Sequence, residues 1–283
     1  MKKLFLLILS CFLLTGCSLM KDNLEDAKIY TTVYPIKYLT ENLYGEYSTI
    51  ESIYYKDADI SNYELTEKQI ATFAKGDLFI YNGLGNEKNI AKNLINKNKN
   101  LFIIDVSYGL SYTRKIEELW MSPNNYLMLA KNIKDSLIAS LKNKYIIENI
   151  QKNYDILAEK LSLMDADLRA IGKDAKEKGT NTLVVNDNLF YYLENYGFNI
   201  ISLDPETVSE TTINNVKSAF KKGTYKSIIV LDNNLSDEIN GILKDYKANT
   251  IDISSMIYDD ETDDYVTQMQ IFIDNLRNLS VSD

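Results

Sequence analysis

The chain has 283 residues, of which 31 are Lys or Arg and 40 are Asp or Glu, so its formal net charge is −9. At this length about two domains are expected, and a hydrophobic fraction of 45% excludes a chain that is disordered throughout. The acidic balance argues against a nucleic-acid partner, which would require a basic face. Histidine is absent. Its absence excludes Ser-His-Asp and Cys-His catalysis, histidine-ligated zinc and pH switching by imidazole.

The N-terminus has the pattern of a bacterial export signal. Lys2 and Lys3 precede an apolar run over residues 4–14, which ends in Leu14-Thr15-Gly16-Cys17. The run is shorter than the ~20 residues of a membrane-spanning helix. We therefore expect residues 1–16 to be a signal peptide that directs the protein out of the cytoplasm.

The last four residues of this segment resemble the bacterial lipobox, in which the cysteine is diacylated and becomes the new N-terminus. This resemblance implies lipidation at Cys17, a polar tether over residues 17–27, and a protein held on the outer side of the cell membrane by its lipid. The alternative is an ordinary signal peptide with a chance cysteine. Cys11 would leave with the signal peptide, so no disulfide is expected.

After the tether, short strand-like runs alternate with helical ones. Strands are predicted at residues 28–34, 49–55, 77–81 and 101–104, and helices at residues 35–43, 66–73 and 87–95. Thr66 and Gln69 form a capping-box pattern at the start of the second helix. Strands that alternate with helices of ~10 residues predict a parallel sheet covered by helices. We assign this first lobe to residues 28–140.

The next segment carries one apolar stripe with alternating spacings of three and four residues. Its members are Ile147, Ile150, Tyr154, Leu157, Leu161, Met164, Leu168 and Ile171. The spacing predicts one long helix over residues 145–178, within a linking segment of residues 141–179. Its heptad regularity leaves a coiled-coil dimer open. A single helix between two α/β segments is more often an intramolecular spine, and a monomer is expected.

Residues 180–283 repeat the pattern of the first lobe. Strands are predicted at residues 182–185, 199–203, 227–231 and 250–253, and helices at residues 188–196, 209–220, 236–246 and 262–279. The predicted fold class is therefore α/β, with two parallel-sheet lobes joined by one long spine helix. Open parallel sheets bind ligands beyond the carboxyl ends of their strands. A binding site is thus expected in the cleft between the lobes.

Several segments are similar to the metal-specific solute-binding lipoproteins of bacterial zinc/manganese ABC importers. They are residues 31–35, 77–85, 119–124, 191–197 and 263–265, and the likeness runs in order through the mature chain. This resemblance implies a bilobal fold of the periplasmic-binding-protein type. It also implies capture of a divalent cation between the lobes, with an ABC permease and its ATPase subunit as partners.

In that family, four side chains at the lobe interface hold the cation. The resemblance places these positions at Ser61, Glu118, Asn186 and Ser254, with the carboxylates of Asp187 and Asp252 nearby. The four positions offer oxygens with one formal negative charge. Neutral hydroxyls and amides are weak ligands for transition metals. The resemblance therefore implies a degenerate site in which Mn²⁺ or another hard ion is favoured over Zn²⁺, and no other cofactor is expected.

Other interpretations stay open from the sequence. The fold could serve as an adhesin-like interaction protein with an empty cleft, or it could bind an organic solute. Aromatic residues available for stacking on such a solute are Tyr34, Tyr63, Tyr112, Trp120 and Tyr191. Glu118 could be an ordinary solvated carboxylate, and Asp187 could be a helix N-cap. No nucleophile–base pair is visible, so an enzyme is not expected.

Overall fold

A computed structural model describes residues 24–56, 58–259 and 263–281 of the chain. The predicted signal peptide and the predicted lipidation position Cys17 lie outside the described residues. Within these three ranges, no helix combines the length and the apolar character that crossing a membrane requires.

The first lobe is built around one parallel sheet. Its strands are β1 (Ala27–Thr31), β2 (Ser48–Ser52), β3 (Leu78–Tyr81) and β4 (Phe102–Asp105), in the spatial order β2-β1-β3-β4. The helices of this lobe are α1 (Tyr34–Tyr44), α2 (Glu67–Phe73), α3 (Glu87–Lys97), α4 (Glu118–Met121) and α5 (Pro123–Ser140). The strand order reverses between β1 and β3. The loops that follow these two strands therefore diverge and leave a crevice at the carboxyl edge of the sheet.

The second lobe has the same topology. Its strands are β5 (Thr182–Val185), β6 (Asn199–Ser202), β7 (Ser227–Leu231) and β8 (Asn249–Ile253), in the order β6-β5-β7-β8. A 3₁₀ helix (Asn188–Tyr196) follows β5, and the other helices are α7 (Glu210–Lys221), α8 (Asp237–Tyr246) and α9 (Tyr265–Val281). Each lobe thus has its own reversal of strand order and, at that point, its own crevice at the carboxyl edge of the sheet.

The long helix α6 (Lys144–Lys178) connects the two lobes. Its 35 residues extend roughly 50 Å. The Asn143 side chain caps its start by accepting a hydrogen bond from the backbone N–H of Tyr145, and Gly179 ends it in the left-handed conformation. Its apolar stripe packs against α1, α5 and α9 of the same chain. The prediction of an intramolecular spine is confirmed, because the chain itself buries the stripe that a coiled-coil partner would cover.

The structure contains every predicted strand and helix, although one helix differs in type. The short helices at Glu118–Met121 (α4) and Gly45–Tyr47 (3₁₀) were not predicted. The capping box of α2 is present, since Thr66 and Gln69 exchange side-chain and backbone hydrogen bonds. Helix α5 was not predicted, although Pro123 at its first turn is a typical start signal because no intrahelical bond is needed there. The predicted α-helix over residues 188–196 is a 3₁₀ helix instead.

Gly172 allows α6 to approach the second lobe. A Cβ atom at this position would lie 1.9 Å from the carbonyl oxygen of Tyr196, at the end of the 3₁₀ helix. That oxygen belongs to the backbone, so a larger residue would have to push the spine away from the lobe.

We predict that Gly172→Ala lowers the free energy of unfolding by about 1–3 kcal/mol, the usual cost of overpacking. Gly241→Ala is the matched control, because Gly241 also lies inside a helix but a Cβ atom added there would have no neighbouring atom within 4 Å. The control should be neutral or stabilising, by up to ~1 kcal/mol, through helix propensity. Urea unfolding of both variants measures the difference, and equal effects would contradict the close-approach argument.

Candidate functional site

The crevice of the first lobe contains a cavity of about 450 Å³, here called the cleft cavity. Its polar and charged lining includes Ser61, Glu87, Arg114, Lys115 and Glu117. Ser61 comes from the loop after β2, Glu87 is the first residue of α3, which follows β3, and the other three come from the loop after β4. The cavity therefore lies where the strand order predicts a ligand site.

Ser61 lies in the wall of the cleft cavity, in the loop after β2. The backbone N–H of Ser61 and the side-chain amide of Asn62 donate to the carboxylate of Asp59, each over 3.0 Å. These bonds, chiefly that from Asn62, hold the pKa of Asp59 below its ordinary value. The Asp59 carboxylate thus fixes the turn that places Ser61 in the wall of the cleft cavity.

Glu118 is buried at the start of α4. Its carboxylate accepts hydrogen bonds from the backbone N–H groups of Thr113 (2.9 Å), Arg114 (2.6 Å) and Lys115 (3.1 Å). The interpretation of Glu118 as a solvated carboxylate is therefore wrong. Instead, this side chain folds the end of the β4–α4 loop over the first turn of α4, because it is the common acceptor for three consecutive amides.

The two positions in the second lobe are also hydrogen-bonded to nearby backbone. The side-chain amide of Asn186 donates to the carbonyls of Leu231 (3.2 Å) and Asn234 (2.9 Å), and its oxygen accepts from the N–H of Leu231 (2.8 Å). The Ser254 hydroxyl accepts from the N–H of Met256 over 3.0 Å. Asp252 is exposed and accepts from the Thr250 hydroxyl. Asn186 and Ser254 directly follow strands β5 and β8, and Asp252 lies inside β8.

In the described part of the chain, no three His, Cys, Asp or Glu side chains come together in a group that could hold a metal ion. Of the four positions carried over from the family, Ser61 is the one that lines the cleft cavity. Glu118, Asn186 and Ser254 are each engaged by backbone N–H groups, as described above. A cation that used them would have to share these oxygens with the hydrogen bonds already present.

Two basic residues of the β4–α4 loop contact the second lobe. The Lys115 ammonium lies 2.6 Å from the Asp187 carboxylate, and the Arg114 guanidinium lies over the ring of Tyr191 at 5.0 Å from its centroid. We call these two contacts the interlobe bridge. Asp187 also accepts from the backbone N–H of Leu189 over 2.7 Å, so the predicted N-cap is present.

The Lys115 ammonium is surrounded by negatively charged side chains. Burial lowers the pKa of Lys115, but the hydrogen bond to Asp187 and the charges of Asp187, Asp204 and Glu117 outweigh it, so the pKa is raised. Glu117 lies partly buried beside it, and burial raises the pKa of that carboxyl. Lys115 is therefore charged across the neutral pH range and faces an excess of carboxylates.

The lobes are also joined through the loop after β8. Its Ser255 carbonyl accepts from the Trp120 indole N–H (2.8 Å), and its Ile257 carbonyl accepts from the backbone N–H of Tyr34 (2.9 Å). Asp259 pairs with Lys37 of α1 over 3.0 Å. Contacts of this kind, together with the interlobe bridge and the shared spine, favour small relative movements of the lobes.

Aromatic residues near the cleft are mostly packed. Tyr34, Tyr63 and Trp120 are buried, and Arg114 already covers the ring of Tyr191. Tyr112 is exposed and lines the cavity. The aromatic set therefore acts mainly in lobe packing.

Glu87 is a buried carboxyl in the cavity wall that sequence reasoning missed. It is 5% exposed, and within the described ranges its Oε2 atom has no hydrogen-bond partner. Burial raises the pKa of Glu87 to about 8, the charge of Asp105 adds to this shift, and the nearby Thr32 hydroxyl and Asn82 N–H oppose it. At pH 7 the carboxyl is mainly protonated and neutral.

Comparison with known proteins places this arrangement among metal-binding proteins. The family model described as zinc-uptake complex component A, periplasmic (ZnuA), matches residues 29–279. The iron-binding protein YfeA of Yersinia pestis is 27% identical over 217 residues, which cover 71% of this chain and 68% of that protein.

Two solved structures share the fold. The metal-dependent lipoprotein YcdH from Bacillus subtilis superposes with a TM-score of 0.73 at 20% identity, over 89% of this chain and 98% of that one. The Zn(II)-bound ZnuA-like domain of Streptococcus pneumoniae AdcA gives a TM-score of 0.71 at 22% identity, over 91% and 100% of the two chains.

We predict that Glu118→Ala lowers the free energy of unfolding by about 2–4 kcal/mol, because three partly buried hydrogen bonds from backbone N–H groups lose their charged acceptor. Glu117→Ala is the matched control at the adjacent position, and it leaves those three hydrogen bonds in place. Urea unfolding of both variants at pH 7 measures the difference. A Glu118 variant no less stable than the Glu117 variant would show that the carboxylate does not organise the loop.

We predict that Glu87→Gln changes the pH dependence of folding. The pKa of Glu87 rises from an ordinary value of 4.5 to about 8 on folding, so the folded state binds the proton more tightly than the unfolded state. Stability from this group is fully present below its unfolded pKa and is lost as the pH rises towards its folded pKa, by about 1.4 kcal/mol per pH unit. Glutamine resembles the protonated carboxyl and cannot ionise.

The free energies of unfolding of wild type and Glu87→Gln should therefore diverge by about 2–4 kcal/mol between pH 5 and pH 8.5, with the wild type losing stability relative to the variant. Glu159→Gln, an exposed change on α6, is the control and should follow the wild type. Parallel pH profiles for wild type and Glu87→Gln would contradict this prediction.

Proposed function

Because the chain belongs to the zinc-uptake complex component A family, we propose that it is the solute-binding component of a bacterial ABC importer for a divalent metal ion. The observation that carries this proposal is the family match over residues 29–279, which includes both lobes and the spine. The cleft between two sheets of identical topology supports it, because both carboxyl edges contribute loops to that region. The protein would bind its cargo and release it unchanged, without catalysis.

We also propose that the protein works outside the cytoplasm, attached to the cell membrane by a lipid on Cys17. The basic start, the short apolar run and the lipobox-like ending support this location. YcdH, which shares the fold, is itself described as a lipoprotein. The partners would be the permease and the ATPase subunit of the importer, with this protein acting as a monomer.

The proposed cargo is Mn²⁺ or another hard divalent ion rather than Zn²⁺. The chain has no histidine, and its two cysteines lie at positions 11 and 17, in the predicted export signal and at its lipidation site. Oxygen donors are therefore what the cleft offers, and these suit hard cations. We propose Ser61, Glu118, Asn186 and Ser254 as the ligand positions, with Asp187 and Asp252 as nearby carboxylates.

The oxygen atoms at these ligand positions are only partly available to a cation. Glu118 and Asn186 already accept hydrogen bonds from backbone N–H groups, so a bound ion would share their oxygens or require the loops to shift. The expected affinity is therefore lower than that of a site built from free carboxylates. Family membership does not favour the two alternatives, an adhesin-like interaction protein and a binder of organic solutes.

A thermal-shift titration tests this proposal. The protein is treated with a chelator and then titrated separately with Mn²⁺, Zn²⁺, Fe²⁺, Ca²⁺ and Mg²⁺. A ligand at 100 times its Kd stabilises the folded state by about 2.7 kcal/mol, which corresponds to a rise of roughly 5–10 °C in Tm for a protein of this size. We expect a selective rise with Mn²⁺ or another hard ion. No response to any of the five ions would overturn the metal-binding proposal.

A further inference from the structure

Asp187 is the carboxylate through which the two lobes meet at the cleft. Its side chain is 14% exposed, compared with 47% for both partners of the surface pair Lys131–Asp135. Its Oδ1 atom accepts from the backbone N–H of Leu189, and its Oδ2 atom is bound by the Lys115 ammonium at 2.6 Å. Backbone thus occupies one oxygen, and a side-chain cation from the other lobe occupies the second.

Two other carboxylates act electrostatically on Lys115 or on its neighbour Glu117, and they are held by backbone N–H groups. Asp204 accepts from the backbone N–H of Glu206 over 3.0 Å, and Asp232 accepts from that of Ser255 over 2.7 Å. These two carboxylates and Glu117 act on the site through their charges, since each influences the ionisation of Lys115 or of Glu117. The position of the ammonium is therefore one where the protein's own field stabilises a positive charge.

We propose that Lys115 is the built-in cation of the cleft and determines how tightly the cleft binds a divalent ion. This inference rests on the proposed metal-binding function. A metal ion that binds Asp187 Oδ2 competes with the Lys115 ammonium, because two cations held at close range by one carboxylate oxygen repel each other. Displacement also breaks an ion pair between the lobes, so metal binding and the interlobe bridge compete for the same oxygen.

Glu118 enters this competition as a positioning residue. Its carboxylate holds the backbone N–H groups of residues 113–115, and this fixes the direction in which Arg114 and Lys115 leave the loop. Since Arg114 stacks on Tyr191, the loop is anchored to the second lobe beside the ion pair. The backbone from which the Lys115 side chain reaches Asp187 is thereby held in place.

The test is a gain of affinity. Lys115→Met keeps the length and the apolar stem of the side chain and removes its charge. Isothermal titration with Mn²⁺ at pH 7 should show binding about tenfold tighter than in the wild type, because Asp187 is released from a partly buried ion pair. Lys115→Arg keeps the charge and should restore binding close to that of the wild type. A lysine with a merely structural role would lower the affinity when replaced.

A variant of Asp187 tests whether this carboxylate accounts for the gain in Mn²⁺ affinity. Asp187→Asn keeps an oxygen that can cap the 3₁₀ helix but removes the negative charge. In the double variant Lys115→Met/Asp187→Asn the gain should disappear. Lys131→Met is the matched control, because Lys131 also pairs with an aspartate at 2.6 Å but lies on the surface of α5.

The outcomes separate this inference from the proposed function. Equal Mn²⁺ affinity in wild type and Lys115→Met, weaker binding in Lys115→Met, or the same gain in Lys131→Met would overturn the inference and leave metal binding by the wild type in place. Binding by Lys115→Met alone would support the inference and contradict the proposed function of the wild type. No binding of any tested ion by either protein would overturn both.

Discussion

The contact between the two lobes at the cleft depends on one buried carboxylate. Glu118 collects three consecutive backbone N–H groups, and this shapes the loop that carries Arg114 and Lys115 to the second lobe. A carboxylate can do this because it has acceptor sites on both oxygens and no donor of its own when ionised. Glu118 and the three N–H groups that it accepts from are close together in the sequence. The contact that they support joins Lys115 to Asp187, 72 positions further along the chain.

The position of the cleft follows from the repeated topology. Both sheets reverse their strand order after the first strand, so both leave an opening at the carboxyl edge. The spine α6 and the loop after β8 keep the two openings near each other. The fold therefore determines the general location of a ligand site, and the side chains of the loops determine its chemistry.

Periodic features were predictable from the sequence, and contacts between distant loops were not. The stripe from Ile147 to Ile171 specified α6 because burial of one helix face imposes a repeat on the sequence, and Thr66 with Gln69 marked a helix start through local hydrogen bonds. Glu118 was open to misinterpretation as a solvated residue because its acceptor role depends on how the preceding loop folds. Neither Lys115 nor Glu87 belongs to a recognisable sequence pattern. Lys115 is important because it pairs with Asp187 of the other lobe, and Glu87 because it is buried.

The hydrogen bonds of Glu118 also show what remains for a cation. An ionised carboxylate has about four acceptor sites, and the three N–H groups of Thr113, Arg114 and Lys115 use three of them. One site is left, on Oε2, so Glu118 can bind an ion through one oxygen without releasing the loop. Asp187 has two partners, the Leu189 N–H on Oδ1 and the Lys115 ammonium on Oδ2, so each of its oxygens keeps one acceptor site. In a chain without histidine, the ligand positions proposed for a metal are oxygens that also shape the cleft. On that proposal, the affinity depends on how many of these oxygens the backbone and Lys115 give up.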